Sequence, residues 1–130
     1  MRTENATNMA RAMALMLGLC IALAGRAEPA ASARREIDHL LQYIEESGCA
    51  FNRNGTWHDA KTARAHVLTK YDFLLGQDRI TTTEDFIEKA ATKSSVLFGQ
   101  LYAVRCNGED PLRSSQWLSS ELGRYRRIEH

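Results

Sequence analysis

Asn54-Gly55 is the strongest conformational instruction in this 130-residue chain. Both residues tolerate positive φ, which the two central positions of a type I′ turn demand. The flanks, Cys49-Ala50-Phe51-Asn52-Arg53 and Thr56-Trp57-His58, carry residues that suit a pleated surface. A two-residue hairpin is therefore predicted, with Arg53 facing Thr56, Asn52 facing Trp57 and Phe51 facing His58. Such a pair is marginal alone and needs a third strand. Leu101–Cys106 supplies one, ended by Asn107-Gly108. Val104 and Tyr102 then lie on one side of it, and Leu101, Ala103 and Arg105 on the other. Pairing this strand beside the hairpin brings Cys106 near Cys49.

Those two cysteines matter because of what precedes them. Arg2 and Arg11 lie before Ala12–Ala24, an apolar stretch broken only by Gly18. Small residues follow at Ala24, Gly25 and Ala27, and then Glu28-Pro29. A positive start, an apolar stretch and a small-residue exit predict a secretory signal peptide over residues 1–27. The stretch is short for a bilayer-crossing helix, and the competing reading, a buried N-terminal helix, lacks an amphipathic period. Cleavage fits after Ala24 or Ala27, with Ala27 favoured. Leu19 before Cys20 argues against a lipid anchor, so no membrane anchor is expected once the signal is cut. The expected location is the periplasm or the exterior.

The leader takes three arginines and one glutamate with it, turning a formal charge of +1 into −1. With 44% hydrophobic and 25% charged residues, the composition excludes a disordered polyelectrolyte, a collagen-like repeat and a multi-span membrane protein. The lost basic excess also argues against a nucleic-acid partner. Cys20 leaves as well. An even pair, Cys49 and Cys106, remains, and in an oxidising compartment such a pair favours a disulfide. Its loop of 57 positions is worth about 4 kcal/mol on the chain-entropy argument. The competing reading is a reactive or metal-binding thiol pair, although neither cysteine sits in a CxxC or Cys/His spacing.

Four helices complete the reading. Residues 28–33 look like a flexible leader, and 34–130 like one domain. Ile37, Leu40, Leu41 and Ile44 make one apolar stripe on a helix over about Ser32–Ser47, stopped by Gly48. Asp59 can cap a helix over Ala60–Leu75 that Gly76 ends. Its buried face would be Ala60, Ala63, Val67, Leu68, Tyr71, Leu74 and Leu75. Thr81 and Glu84 have capping-box spacing, which predicts a third helix from Thr82 to about Lys93 with Phe86, Ile87, Ala90 and Ala91 inward. Ser114 or Ser115 starts the last helix, with Leu118, Leu122 and Tyr125 inward and Arg124, Arg126 and Arg127 complementing its dipole. The predicted fold is α+β: four helices on a short three-stranded antiparallel sheet, with one disulfide. Trp57 and Trp117 are expected in the core. The alternative is that they line a recognition surface with Tyr43 and Tyr102.

The block Ser47-Gly48-Cys49-Ala50-Phe51-Asn52-Arg53-Asn54-Gly55-Thr56-Trp57-His58 resembles the YfeK-like family of short exported proteobacterial proteins. The resemblance continues through Ala63, His66, Lys70 and Tyr71, then Asp85-Phe86-Ile87 and Lys93-Ser94-Ser95. It closes with Tyr102, Val104, Cys106 and Trp117-Leu118. Gly99-Gln100-Leu101-Tyr102 departs from the Gly-x-Pro-Tyr-like approach to the last strand. The resemblance implies export and a one-disulfide layout. It implies no activity, cofactor or partner, and it transfers no catalytic residue.

Several residues carry candidate chemistry. His58 and His66, with Asp59 between them, could serve zinc or another transition metal. Their spacing matches no metal motif, Asp59 is better used as a helix cap, and hydrogen-bonded structural histidines are the competing reading. Arg53, Lys70 and Arg105 could hold a carboxylate or phosphate, or could be solvated charges paired with Glu45, Glu46 or Asp72. Lys93-Ser94-Ser95 invites a serine–lysine nucleophile, against the simpler reading of a helix end. No GxSxG, HExxH, P-loop or GxGxxG is present. The expectation is a non-enzymatic binding module of the cell envelope, with no catalytic residue, metal or cofactor assigned. Its surface would be Arg53, Trp57, His58, His66 and Lys70, and its partner an envelope protein or a small anionic ligand. The alternative is a small envelope enzyme or metal-binding protein using His58 and His66. That version fails if the two imidazoles lie more than about 10 Å apart, too far to share a metal or substrate.

Overall fold

The computed structural model describes residues 27–94 and 99–129. The expected signal peptide lies outside the described residues except for Ala27, as do Cys20 and Ser95. No helix among the described residues is long and apolar enough to cross a membrane.

The hairpin forms in the predicted register. Strand β1 (Ala50–Arg53) pairs antiparallel with β2 (Thr56–His58) through Phe51–His58, Asn52–Trp57 and Arg53–Thr56. Asn54 (φ 53°) and Gly55 (φ 83°) both take the positive φ that the turn requires. The Asn52 carboxamide oxygen accepts the Gly55 N–H at 3.1 Å, which secures the turn from within the strand. Strand β3 (Ala103–Arg105) lies antiparallel on the other side of β1, with Phe51 opposite Val104 and Ala50 opposite Arg105. The next pair outward is Cys49 and Cys106, and there the disulfide forms, with 4.4 Å between the Cα atoms.

The sheet has four strands rather than three. Asn107 and Gly108 both adopt positive φ and turn the chain back. Strand β4 (Leu112–Arg113) then pairs with β3, giving the order β2-β1-β3-β4. Two residues are too few to show an alternation of apolar and polar side chains. Only the neighbouring strand makes them a strand.

Helix α1 (Ala31–Glu46) buries Ala33 and the predicted stripe Ile37, Leu40, Leu41 and Ile44. Helix α2 (Ala60–Gly76) starts as expected, with the Asp59 carboxylate accepting the Thr62 N–H at 2.8 Å. It runs through Gly76 instead of stopping there. The left-handed residue is Asp78 (φ 56°), after which the Arg79 N–H folds back to the Leu74 carbonyl.

The third helix differs most from expectation. Thr82, not Thr81, is the N-cap, and Asp85, not Glu84, closes the capping box. A single α-turn, α3 (Thr83–Asp85), passes directly into a π-helical turn over Phe86–Ala90. Phe86, Ile87, Ala90 and Ala91 still face inward, all 5% exposed or less. Thr92 closes the segment by donating its hydroxyl to the Ile87 carbonyl. The apolar spacing reads the same for both helix types, so it gave no sign of the wider turn.

Helix α4 (Ser114–Glu129) buries Leu118 and Leu122. Tyr125 leaves the core and stacks on His39 at 4.1 Å between ring centroids. Charged contacts hold α4 to the rest of the fold. Arg126 clamps Glu36 at 2.8 Å and Glu84 at 2.6 Å, while the buried Glu121 carboxylate pairs with His39 at 2.7 Å and with Arg124. The core lies between the helices and the sheet face that carries Phe51 and Val104. Trp117 packs against it, stacked on Tyr43 at 4.5 Å and edge-on to Phe51 at 5.5 Å. Trp57 does not enter the core. It is 37% exposed on the opposite sheet face, under the Arg105 guanidinium at 4.3 Å. Its pairing with Asn52 dictates this, because Phe51 and His58 take the inward positions.

Candidate functional site

Strand parity decides which predicted site residues can meet. Arg53 follows Phe51 by two positions, and His58 pairs with Phe51, so both point toward the helices. Tyr102, two residues before Val104, joins them on that face. His66 and Lys70 are four residues apart on α2 and share one helical face. Arg53, His58, Tyr102 and His66 line a pocket of about 30 Å³ between sheet and helix, with the apolar Ile44, Phe51, Ala63 and Val67 among its other walls; Lys70 lies one turn further along α2 and does not line it.

The two imidazoles lie edge to face, 5.2 Å between centroids. Lys70 Nζ donates to the Lys93 carbonyl and sits 5.6 Å from the centre of the Tyr102 ring. Arg53 Nε is buried without a hydrogen-bond partner. Leaving a buried donor unsatisfied costs about 1–3 kcal/mol, and more when the group is charged.

Charge is the distinctive property of this site. None of Arg53, His58, His66 and Lys70 is ion-paired with a carboxylate among the described residues. The acids that could have neutralised them are used elsewhere. Glu45 pairs with Arg64 at 3.1 Å, Glu46 accepts from Gln42 at 2.9 Å, and Asp59 caps α2. Burial lowers the pKa of His66, with Arg53 and His58 adding repulsion. Lys70 is lowered in the same way, by burial first and then by Arg53, Lys93 and Arg79. Arg53 and Lys70 repel one another, and a proton added to His66 is disfavoured by Arg53.

Trp57 stands apart from the other four predicted residues, on the outer sheet face. Arg105 stands with it, so the expected trio of Arg53, Lys70 and Arg105 is divided by the sheet. Tyr102 was not among the predicted patch residues, although its position two residues from Val104 places it there. The Lys93 carbonyl left no signal in the sequence, because only the tertiary fold brings it to Lys70 across 23 positions.

The geometry can do some chemistry and not other chemistry. Two histidines at this separation could share a ligand. A zinc site needs three or four protein donors, and no group of three His, Cys, Asp or Glu among the described residues could hold a metal. Lys93 forms a bridge with Leu101, and Ser94 is buried with its N–H on the Gln100 carbonyl. That backbone pairing makes the segment a strand-like connection beside β3. What the site offers is a small, mostly apolar recess with two imidazoles and a guanidinium among the residues that line it.

A family model described as a family of unknown function, DUF5329, matches residues 31–126. No curated protein and no solved structure matches the chain.

Proposed function

The chain belongs to the family of unknown function DUF5329, and from that premise we propose that it is a non-enzymatic binding module of the cell envelope that takes an anionic ligand. The observation that carries this reading is the convergence of Arg53, His58 and His66 on one small pocket, none of them ion-paired with a carboxylate among the described residues, with Lys70 one helical turn beyond His66. Charges gathered at one concave place, at a cost in mutual repulsion, are a feature of sites rather than of surfaces. The YfeK-like resemblance and the leader at residues 1–27 support export to the periplasm or the exterior. So does the cystine, which persists in oxidising compartments.

Two measurements test this. A ligand that binds only the folded chain stabilises it by about 2.7 kcal/mol at a hundredfold excess over its Kd. Thermal unfolding in a panel of anions at constant ionic strength should therefore show saturable stabilisation that Arg53→Gln abolishes. Stabilisation by none of the anions refutes the reading. Mass spectrometry of protein from native cells should show an N-terminus at Glu28 or Gly25. Intact Met1 refutes export.

The second reading, a metal-dependent protein built on His58 and His66, is favoured by their 5.2 Å separation. Titration with zinc separates the two. Stoichiometric binding lost in His66→Gln supports the metal, and its absence leaves the anion reading in place.

A further inference from the structure

An antiparallel sheet that covers a core with one face commonly shows polar side chains on the other. Here the core takes the face of Phe51 and Val104, and strand pairing sets what stands on the opposite face. Trp57, Asn52, Ala103 and Arg113 form one cross-strand row, and Ala50 and Arg105 stand opposite each other in the next. Leu101 shares the face by parity with Ala103, and its bridge to Lys93 brings that lysine to the same side. None of these residues is buried, and Trp57 and Leu101 are 37% and 47% exposed. The face carries three cations, Lys93, Arg105 and Arg113, and no carboxylate, although acids outnumber bases over residues 28–130. No ion pair among the described residues engages any of the three. Arg105 lies over the Trp57 ring at 4.3 Å, a stacking that occupies the flat side of the guanidinium and leaves its in-plane N–H groups for an oxyanion. Exposed apolar surface rimmed by one sign of charge marks an interaction site. A second copy does not fit it, because two such faces laid together would oppose cation to cation.

We propose that this outer sheet face docks reversibly on an anionic lipid bilayer, with Trp57 and Leu101 at headgroup level and Lys93, Arg105 and Arg113 on the lipid phosphates. Tryptophan is favoured at that depth, and long basic side chains reach the phosphates beside it. An acidic protein would have to match the face in shape as well as in charge, whereas a bilayer matches it in charge and depth alone. The contact is peripheral and needs no membrane-spanning helix. It goes beyond the anion-binding reading above, because it uses none of the cations at the recess.

Titration with vesicles of phosphatidylcholine, alone or mixed equally with phosphatidylglycerol, tests it on the oxidised chain from Glu28 onward. That chain holds all the buried apolar residues and the disulfide, and omitting the apolar Ala12–Ala24 stretch removes a second route into the bilayer. The anionic vesicles should bind at least about tenfold tighter, and the advantage should fade in about 0.5 M salt. Bound protein should show a blue-shifted tryptophan emission that Trp57→Phe removes, because Trp117 packs on the core side. Each cation beside an anionic surface is worth about fivefold, so Lys93→Gln/Arg105→Gln/Arg113→Gln should weaken binding on the order of a hundredfold. Arg35→Gln/Lys61→Gln/Arg127→Gln removes the same charge from the helices and should cost less than about fivefold. Near-UV circular dichroism of the tryptophans and the cystine checks that each variant is folded. Equal losses in the two triple variants overturn the inference, as does a blue shift kept in Trp57→Phe. No saturable binding up to about 1 mM lipid, about ten times what half-saturates a single myristoyl chain, also overturns it and leaves an acidic protein surface as the occupant of the face.

Discussion

Opening the Cys49–Cys106 bridge should destabilise the fold by about 4 kcal/mol, from the entropy regained by a loop of 57 positions in the unfolded chain. The structure explains why the effect falls mainly on the unfolded state. The cysteines extend a ladder already held by the Ala50–Arg105 and Phe51–Val104 pairs, and the last of these is buried. Those contacts do not need the bond. Reduction therefore leaves the native geometry in place and enlarges what it competes with. Domains of this size have total stabilities of about 5–15 kcal/mol, so the reduced protein should remain folded but close to its limit. Urea titrations of oxidised and reduced protein, followed by tryptophan fluorescence, read the difference directly. With m-values of about 1–3 kcal/mol/M, the midpoint should fall by roughly 1.3–4 M. The Cys49→Ala/Cys106→Ala double variant should lose at least as much, because Cys49 is also a core residue. A loss below about 1 kcal/mol would mean that the bridge scarcely restricts the unfolded chain, and the loop argument would be wrong.

Three further expectations follow from particular side chains. The imidazole of His66 titrates below its usual 6.5 because of burial, Arg53 and His58, so protons bind the unfolded chain more readily. Stability should fall as pH drops below about 6.5 and level off beneath the folded-state pKa, with His66→Gln flattening the trend; urea midpoints that rise on acidification would contradict this. The carboxylate of Asp85 is held far below 3.8, first by Lys89 and then by the Thr81 N–H, so its contribution is present above that pH and lost as pH falls through it. Asp85→Ala breaks the capping box and should cost about 1–2 kcal/mol at neutral pH and much less near pH 2, by urea unfolding at both. Phe86→Ala, at a fully buried position in the π-helical turn, should cost about 3–5 kcal/mol. Trp57→Ala should cost far less, and equal losses in the two variants would show that Trp57 is a core residue after all.

The contrast between Trp57 and Trp117 shows where sequence reasoning loses its hold. A tryptophan in a small domain is expected inside, and Trp117 packs against Tyr43 and Phe51. The predicted register already ruled this out for Trp57, since its neighbour His58 had been placed opposite the inward-facing Phe51. Adjacent strand residues point to opposite faces. A patch containing both Trp57 and His58 was therefore inconsistent with the hairpin itself. Applying parity to Arg53, His58 and Tyr102 would have drawn the pocket without Trp57.

Readable from the chain alone were features set by neighbouring residues: the positive-φ turn at Asn54-Gly55, the apolar stripe of α1, the Asp59 cap and the pairing register. Each follows from backbone sterics or from a short period, and neither depends on what lies across the molecule. The short strand Leu112–Arg113, the π-helical turn at Phe86–Ala90 and the Lys93 carbonyl that meets Lys70 are different. None of them shows in an apolar period or a cap: β4 is a strand only through its pairing with β3, and the Lys93 carbonyl meets Lys70 only across 23 positions. The pocket itself belongs to both kinds. Its residue types stand in the sequence, but the lack of an ion pair to them among the described residues arises from where the fold draws Glu45 and Glu46 and from the use of Asp59 as a helix cap.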